Sequence, residues 1–223
     1  MIEQRVNLSQ TQQAYQEARA AIARRVIVCA GTGCVANGSL KVYEALKEQI
    51  EAKGLDVVLD LSDGCQGDVL LSKSGCQGFC QAGPLGTIEP EDWLYVHGKA
   101  EAVAEIVEAT LVDNQPVQRL LYVDPATHET FAETHEIPFY KRQQRLVLGE
   151  CGNIDPENID EYIARGGYAA AETVYSHRRP DQVCDEILAS GLRGRGGGRS
   201  PTGRKWALTL AETSEKKYVI CNG

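Results

Sequence analysis

The tightest constraint on this chain is a set of four cysteines split between two short, glycine-flanked clusters. Cys29 and Cys34 stand in Val28-Cys29-Ala30-Gly31-Thr32-Gly33-Cys34, a Cys-x4-Cys pair. Cys76 and Cys80 stand in Gly75-Cys76-Gln77-Gly78-Phe79-Cys80, a Cys-x3-Cys pair. Roughly forty residues of patterned sequence separate the clusters, so a fold that uses all four must bring two distant bends together. Four thiolates satisfy a [2Fe–2S] cluster, because each tetrahedral iron takes two bridging sulfides and needs two protein ligands. Gly31, Gly33, Gly75 and Gly78 let bare backbone approach the sulfurs and offer them N–H groups, one lever on reduction potential. Two other readings use the same residues. Structural zinc takes cysteine pairs spaced C-x2-C to C-x4-C, a range that includes Cys76 and Cys80. Disulfides are the other, though nothing in the chain points to export.

At 223 residues the chain holds one large domain or two small ones. With 43% hydrophobic and 24% charged residues it reads as an ordinary soluble globular protein. The net charge of −8 argues against general nucleic-acid binding, which needs a basic surface. No apolar run approaches the ~20 residues of a membrane span. The opening Met1-Ile2-Glu3-Gln4-Arg5 lacks an apolar signal core. A cytoplasmic setting follows, and in a reducing compartment cysteines serve as metal ligands or redox groups rather than staples.

Residues 1–24 form an N-terminal helical segment. Tyr15, Ala18 and Ile22 share a face at helical spacing over 9–24, as in a surface helix that covers its own domain. Arg25-Val26-Ile27-Val28-Cys29 is a strand that ends at the first candidate ligand. A helix is expected over 39–53, capped by Ser39, with Tyr43, Leu46 and Ile50 inward and Gly54 as its stop. Residues 55–61 read as a second strand. Gly64-Cys65-Gln66-Gly67 anticipates the second cluster, but Cys65 has no neighbouring partner and reads as a spare thiol. Strands at 85–88 and 93–96 flank an Asp92 turn, and a helix over 99–111 turns Val103, Ile106, Val107 and Leu111 inward. The order is strand, helix, strand, strand, strand, helix: a small α/β unit over 25–112.

Cys-x4-Cys followed by Cys-x3-Cys on this element order resembles the thioredoxin-like [2Fe–2S] ferredoxins. The resemblance implies that Cys29, Cys34, Cys76 and Cys80 are the cluster ligands, and it moves iron–sulfur ahead of zinc.

Residues 113–149 have weaker periodicity and read as a linker. Asp124-Pro125-Ala126-Thr127 and Ile137-Pro138 are turn and extended signals. His128 and His135 stand there without a metal-ligand pattern and receive no role. From 150 onward the composition changes. Asp155-Pro156 opens a helix that carries Ile159, Tyr162 and Ile163 and stops at Gly166-Gly167. A second runs from Pro180 to Ser190, with Val183 and Ile187 on one face and Gly191 as C-cap. Cys151 and Cys184 are isolated and read as small buried hydrophobes.

Residues 191–206 read Gly-Leu-Arg-Gly-Arg-Gly-Gly-Gly-Arg-Ser-Pro-Thr-Gly-Arg-Lys-Trp, with Arg193, Arg195, Arg199, Arg204 and Lys205 and no acid. A helix follows, with Trp206, Leu208 and Leu210 as candidate core residues, then a strand over 217–221. A glycine-rich turn feeding a helix N-terminus suits a phosphate group; the competing reading is a flexible charged loop. It is not a P-loop, because Arg204 follows Gly203 where Gly-Lys-Ser/Thr is needed. Nor is it a dinucleotide fingerprint, because Arg199 stands where the last glycine belongs.

Ser190 to Gly197, then Pro201-Thr202-Gly203 and Lys205-Trp206, resemble the FMN-binding loop of the flavoprotein subunit of NADH dehydrogenases. Ile220-Cys221-Asn222-Gly223 resembles that family's next FMN segment. Ile137-Pro138-Phe139-Tyr140 and Ile154-Asp155-Pro156-Glu157-Asn158-Ile159 match its beginning. A thioredoxin-like ferredoxin fused in front is the arrangement of the beta subunit of NAD(P)-linked, electron-bifurcating [FeFe]-hydrogenases and related formate dehydrogenases. The resemblance implies that Gly194, Arg195, Gly196 and Lys205 hold FMN phosphate and ring edges and that Asn222 reaches the flavin; no catalytic side chain is assigned. It implies an α/β chain in which a thioredoxin-like [2Fe–2S] ferredoxin domain precedes the truncated start, 150–223, of an α/β FMN-binding domain.

Three departures accompany the resemblance. Arg199-Ser200-Pro201 replaces the family's Gly-Phe-Pro, and Leu208 stands where a further phenylalanine follows Lys-Trp. Both changes remove flat stacking surface for NAD(P)H. The chain also stops at Gly223, before the family's acidic flavin loop and [4Fe–4S] domain. The expectation is an electron-transfer subunit of an NAD(P)H:acceptor oxidoreductase, working beside other iron–sulfur subunits, whose flavin site is incomplete and which is inactive by itself. The alternative is a stand-alone [2Fe–2S] carrier or docking module.

Overall fold

The computed structural model describes residues 6–61, 66–216, 218 and 220. The chain divides into two compact units, Met1–Gly167 and Tyr168–Gly223.

The first unit is built on strand β1, Arg24–Cys29, whose last five residues are all buried. A strand covered on both faces reads as a continuous apolar run, which is what Val26-Ile27-Val28 supplies. β1 pairs in parallel with β3, Val69–Ser74, and antiparallel with β4, Gly86–Glu89. β3 carries the parallel edge strand β2, Val57–Val58, and β4 carries β5, Trp93–Tyr95, so the order is β2-β3-β1-β4-β5. β3 is a strand beyond those expected from the sequence, and β2 is shorter than the expected 55–61. Val69-Leu70-Leu71 is a run of buried-strand type that could have been recognised.

Alternation along the strands sorts side chains between two layers. Val26, Val28, Val69 and Leu71 pack with Val42, Leu46 and Ile50 of α3, Ser39–Ala52, and with Val103, Ile106 and Val107. The latter three lie on one continuous helical stretch that begins as a 3-10 turn at Ala100–Ala102. It runs through α4, Val103–Ile106, into a π-helical turn at Val107–Val112. Ser39 does not cap α3, contrary to expectation. Gly38, at φ +92°, occupies the cap position, and the Ser39 hydroxyl is buried without a partner among the described residues. Between β1 and α3 lies a short helix the sequence did not announce, α2, Thr32–Ala36.

The opposite layer contains α1, Leu8–Ala20, with Tyr15 and Ala18 buried beside Ile22, Val58, Leu61, Leu70 and Ala164. α1 therefore covers its own unit, as expected. Ala164 belongs to α6, Ile159–Ala164, capped by Asn158 rather than by the expected Asp155. Asp155 Oδ1 instead accepts from the Glu157 N–H at 2.9 Å. α6 is fastened to β1 by a buried ion pair: Glu161 accepts from Arg25 at 2.6 and 2.9 Å, both side chains being at most 3% exposed. Arg25 Nε also donates to Ser72 Oγ at 2.8 Å. The first unit thus extends past 149, where the second domain was expected to begin, because these contacts bind 150–167 to the sheet.

Residues 113–149, expected as a linker, are largely part of the same unit. Val117, Leu120 and Leu121 are buried in the main core, and the hairpin of β6, Tyr122–Val123, and β7, Thr130–Phe131, bridges to β5. Ile137 is fully buried and starts α5, Pro138–Lys141. His135 hydrogen-bonds Asp92 through Nδ1 at 2.8 Å, which raises its pKa above the ordinary histidine value.

The second unit contains three helices among its described residues: α7, Ala169–His177, which the sequence reading missed, α8, Pro180–Ala189, and α9, Thr202–Ala211. α8 and α9 touch at Gly203, where a Cβ would meet Leu188 N at 2.4 Å. Trp206, Leu208 and Leu210, expected in a core, are 46, 64 and 41% exposed. Residues two apart on a helix point to opposite sides, so these three cannot share the face that meets α8. The expected strand over 217–221 falls mostly outside the described residues.

Candidate metal centre

β1 and β3 are adjacent and parallel, with Cys29 opposite Ser74, so both strands end at the same edge of the sheet. The two cysteine loops begin at that edge. This is why clusters far apart in sequence meet, and it depends on the strand the sequence reading omitted. Cys29 closes β1 and donates its N–H to Leu85 O at 3.0 Å. Cys34 sits in α2; both thiols are buried, at 0 and 1% exposure. Cys76 and Cys80 follow β3 and are exposed, with Cys80 opening a 3-10 turn, Cys80–Ala82.

The thiols are arranged in pairs. Cys76 and Cys80 sulfurs stand 3.7 Å apart. Two sulfurs on one tetrahedral metal, at bonds of about 2.3 Å, are separated by about 3.8 Å. Cys29 Sγ lies 3.7 Å from Gly75 O, and burial, with the neighbouring Cys29 thiol, pushes the Cys34 pKa up to about 12. The Cys80 thiol is also raised, through its hydrogen bond to Cys76. All four are free thiols. Among the described residues no three Cys, His, Asp or Glu side chains gather as a single-ion site would require. Two sulfurs from each cysteine loop are the number that each iron of a sulfide-bridged pair needs.

Glycines shape the cradle. A Cβ on Gly31 would lie 2.7 Å from Cys76 Cβ, one on Gly33 3.3 Å from Cys80 Sγ, and one on Gly83 2.7 Å from Cys34 Sγ. Gly78, at φ +87°, donates its N–H to Cys76 Sγ at 3.3 Å. Gly75, singled out from the sequence, has open space at its Cβ position, whereas Gly83 was not singled out. Donor set and cradle together fit a [2Fe–2S] group.

An aromatic wall that sequence reasoning did not find closes one side. Phe79, between the outer cysteines, stacks on Phe139 at 4.5 Å and meets Tyr140 edge-on at 5.8 Å and Tyr122 at 5.2 Å. The signal was present in Phe139-Tyr140, but nothing local ties those residues to Phe79.

The other sequence-predicted positions belong to the second unit. Gly194, Arg195 and Gly196 are exposed on a loop closed by Gly194 N to Ser200 O and Thr202 N to Leu192 O, each 2.9 Å. Lys205 is exposed in the first turn of α9, so the expected glycine loop feeding a helix is present. Asn222 lies outside the described residues, as does Cys65. Cys184 is buried as expected, and Cys151 only partly.

Residues 13–111 match the family of thioredoxin-like [2Fe-2S] ferredoxins. The chain is 46% identical over 82 residues to the NADP-reducing hydrogenase protein HndC of Solidesulfovibrio fructosivorans, covering 37% of this chain and 16% of that one. It is 35% identical over 98 residues to an NADH-quinone oxidoreductase subunit of Aquifex aeolicus, covering 44% of this chain and 21% of that one. The matched part thus spans about a fifth or less of these relatives' length. The Aquifex aeolicus thioredoxin-like [2Fe-2S] ferredoxin structure is 27% identical, covers 44% of this chain and 93% of its own, and superposes at a TM-score of 0.36. No helix among the described residues is long and apolar enough to cross a membrane. By its cysteine loops, its element order and its family match, the segment 13–111 is a thioredoxin-like [2Fe–2S] ferredoxin domain.

Proposed function

We propose that the chain is an electron-transfer module of an NAD(P)H-linked oxidoreductase of the NADH dehydrogenase or NAD(P)-reducing hydrogenase kind, holding a [2Fe–2S] cluster on Cys29, Cys34, Cys76 and Cys80. The observation that carries this is the Cys76 and Cys80 sulfurs, 3.7 Å apart, brought together with the buried Cys29 and Cys34 in a cradle where Gly31, Gly33 and Gly83 leave room for the cysteines. When bound, such a cluster supplies a one-electron redox centre. The chain's own residues hold and orient it. Cys29 and Cys34 anchor the dry side, and Cys76 and Cys80 keep the other side at the surface, within reach of a partner protein. The Gly78 N–H stabilises negative charge on Cys76.

The rest of the reading is drawn from the relatives and from the glycine and arginine loop. Gly194, Arg195 and Gly196, with Lys205 at the start of α9, offer bare N–H groups and positive charge to an FMN phosphate. Asn222 as a flavin contact rests on sequence resemblance alone. NAD(P)H as electron source, other iron–sulfur subunits as partners and a reducing cytoplasm as location complete the proposal.

Anaerobic purification and metal analysis test it. The expected result is visible colour with about two irons and two sulfides per chain, lost in Cys34→Ser and Cys80→Ser. Zinc without colour, or a metal content indifferent to both variants, overturns the assignment.

A further inference from the structure

We propose that the Tyr140 hydroxyl is a hydrogen-bond donor to a sulfur of the cluster, on the side of Cys29 and Cys34, and that this contact raises the cluster's reduction potential. The inference rests on the cluster reading above and adds a residue from outside the matched ferredoxin segment, which ends at 111.

The Tyr140 oxygen is removed from water and has no hydrogen-bond partner among the described residues. A buried phenol normally finds one. Its ring is held from two sides, edge-on to Phe79 at 5.8 Å and to Phe139 at 5.1 Å. It packs against the cluster of buried residues that contains Cys29, Cys34, Ala82, Leu85 and Ile137. Ile137, fully buried, fixes the start of the short helix that presents the tyrosine. The ionisable groups acting on the hydroxyl are Arg145 and three of the four candidate ligands, Cys29, Cys34 and Cys76. A buried donor without an acceptor, on a ring packed against the group that includes Cys29 and Cys34, has the chemistry of an outer-shell hydrogen bond to a sulfur that would be a thiolate once metal is bound.

The other orphaned oxygen nearby does not compete. Gln77 is buried between the outer cysteines, but its unpartnered atom is the acceptor Oε1, while its Nε2 already donates to Thr87 Oγ1 at 3.1 Å. An acceptor repels sulfide. A donor stabilises the added negative charge of the reduced cluster, so its loss favours the oxidised form.

The test uses the full chain carrying its cluster. Tyr140→Phe keeps the ring and removes the donor. In a redox titration followed by electron paramagnetic resonance, the reduced-to-oxidised ratio at fixed potential should fall about tenfold, a downward shift of about 59 mV for a one-electron couple. Iron–sulfur stretching bands in the resonance Raman spectrum of the unaltered chain should shift on exchange into D2O, and that shift should shrink in Tyr140→Phe. Should Tyr140→Phe fail to hold iron, 3-fluorotyrosine at position 140, a stronger donor, should raise the potential instead. An unchanged potential in whichever variant holds the cluster overturns the donor role while leaving the cluster assignment intact. An unaltered chain without iron overturns both.

Discussion

Gly31 has no side chain, and Cys76 stands where one would go. An added Cβ would lie 2.7 Å from Cys76 Cβ and 2.8 Å from its Cα, both too rigid to step aside cheaply. Gly31→Ala should therefore cost about 1–3 kcal/mol by overpacking, lowering the thermal midpoint and the iron retained after desalting. Gly75→Ala, with nothing within 4 Å of its Cβ position, should leave both nearly unchanged. At this scale the sequence was partly legible. Cysteine spacing marked the four thiols, and glycines beside them in the chain, such as Gly31 and Gly33, were suspected for the right reason. Gly83 escaped because its neighbour, Cys34, is almost fifty positions away, and Gly75 was suspected only because it adjoins a cysteine.

Among elements, α6 on β1 is the pairing with the largest electrostatic stake. Arg25 and Glu161 are both withdrawn from water and meet through two hydrogen bonds. Removing one partner strands the other charge, so Glu161→Ala should destabilise the first unit by about 3–5 kcal/mol. Arg25→Met combined with Glu161→Leu should recover most of that loss, because no buried charge remains to desolvate. Urea titrations of the three variants against the unaltered chain give both numbers. The sequence announced α1, β1, α3 and α8 through apolar spacing and glycine stops. It did not announce β3 or the role of Arg25, since a charged residue at the head of a strand reads as solvated until its partner is known.

For the molecule as a whole, the boundary between units is the testable quantity. Residues 150–167 supply Glu161 and Ala164 to the first unit, whose internal contacts run to Gly167. A chain ended at 149 should therefore be less stable than one ended at 167 by at least about 3 kcal/mol, the cost of leaving Arg25 unpaired. Both would retain the cysteines, and denaturant midpoints would rank them. Equal midpoints would place the boundary at 149, where the change in composition suggested it.

Local chemistry was enough to name the thiols, the glycine loop before α9 and most helices, because spacing, stop residues and loop composition are properties of neighbours. Only the folded chain decided that parallel strands end together and so unite the two cysteine loops. It also decided that the stretch read as a linker contributes core and aromatic wall, and that Tyr140 packs from beyond the ferredoxin segment against the buried group that includes Cys29 and Cys34. Those outcomes depend on contacts between residues tens of positions apart, which no periodicity encodes.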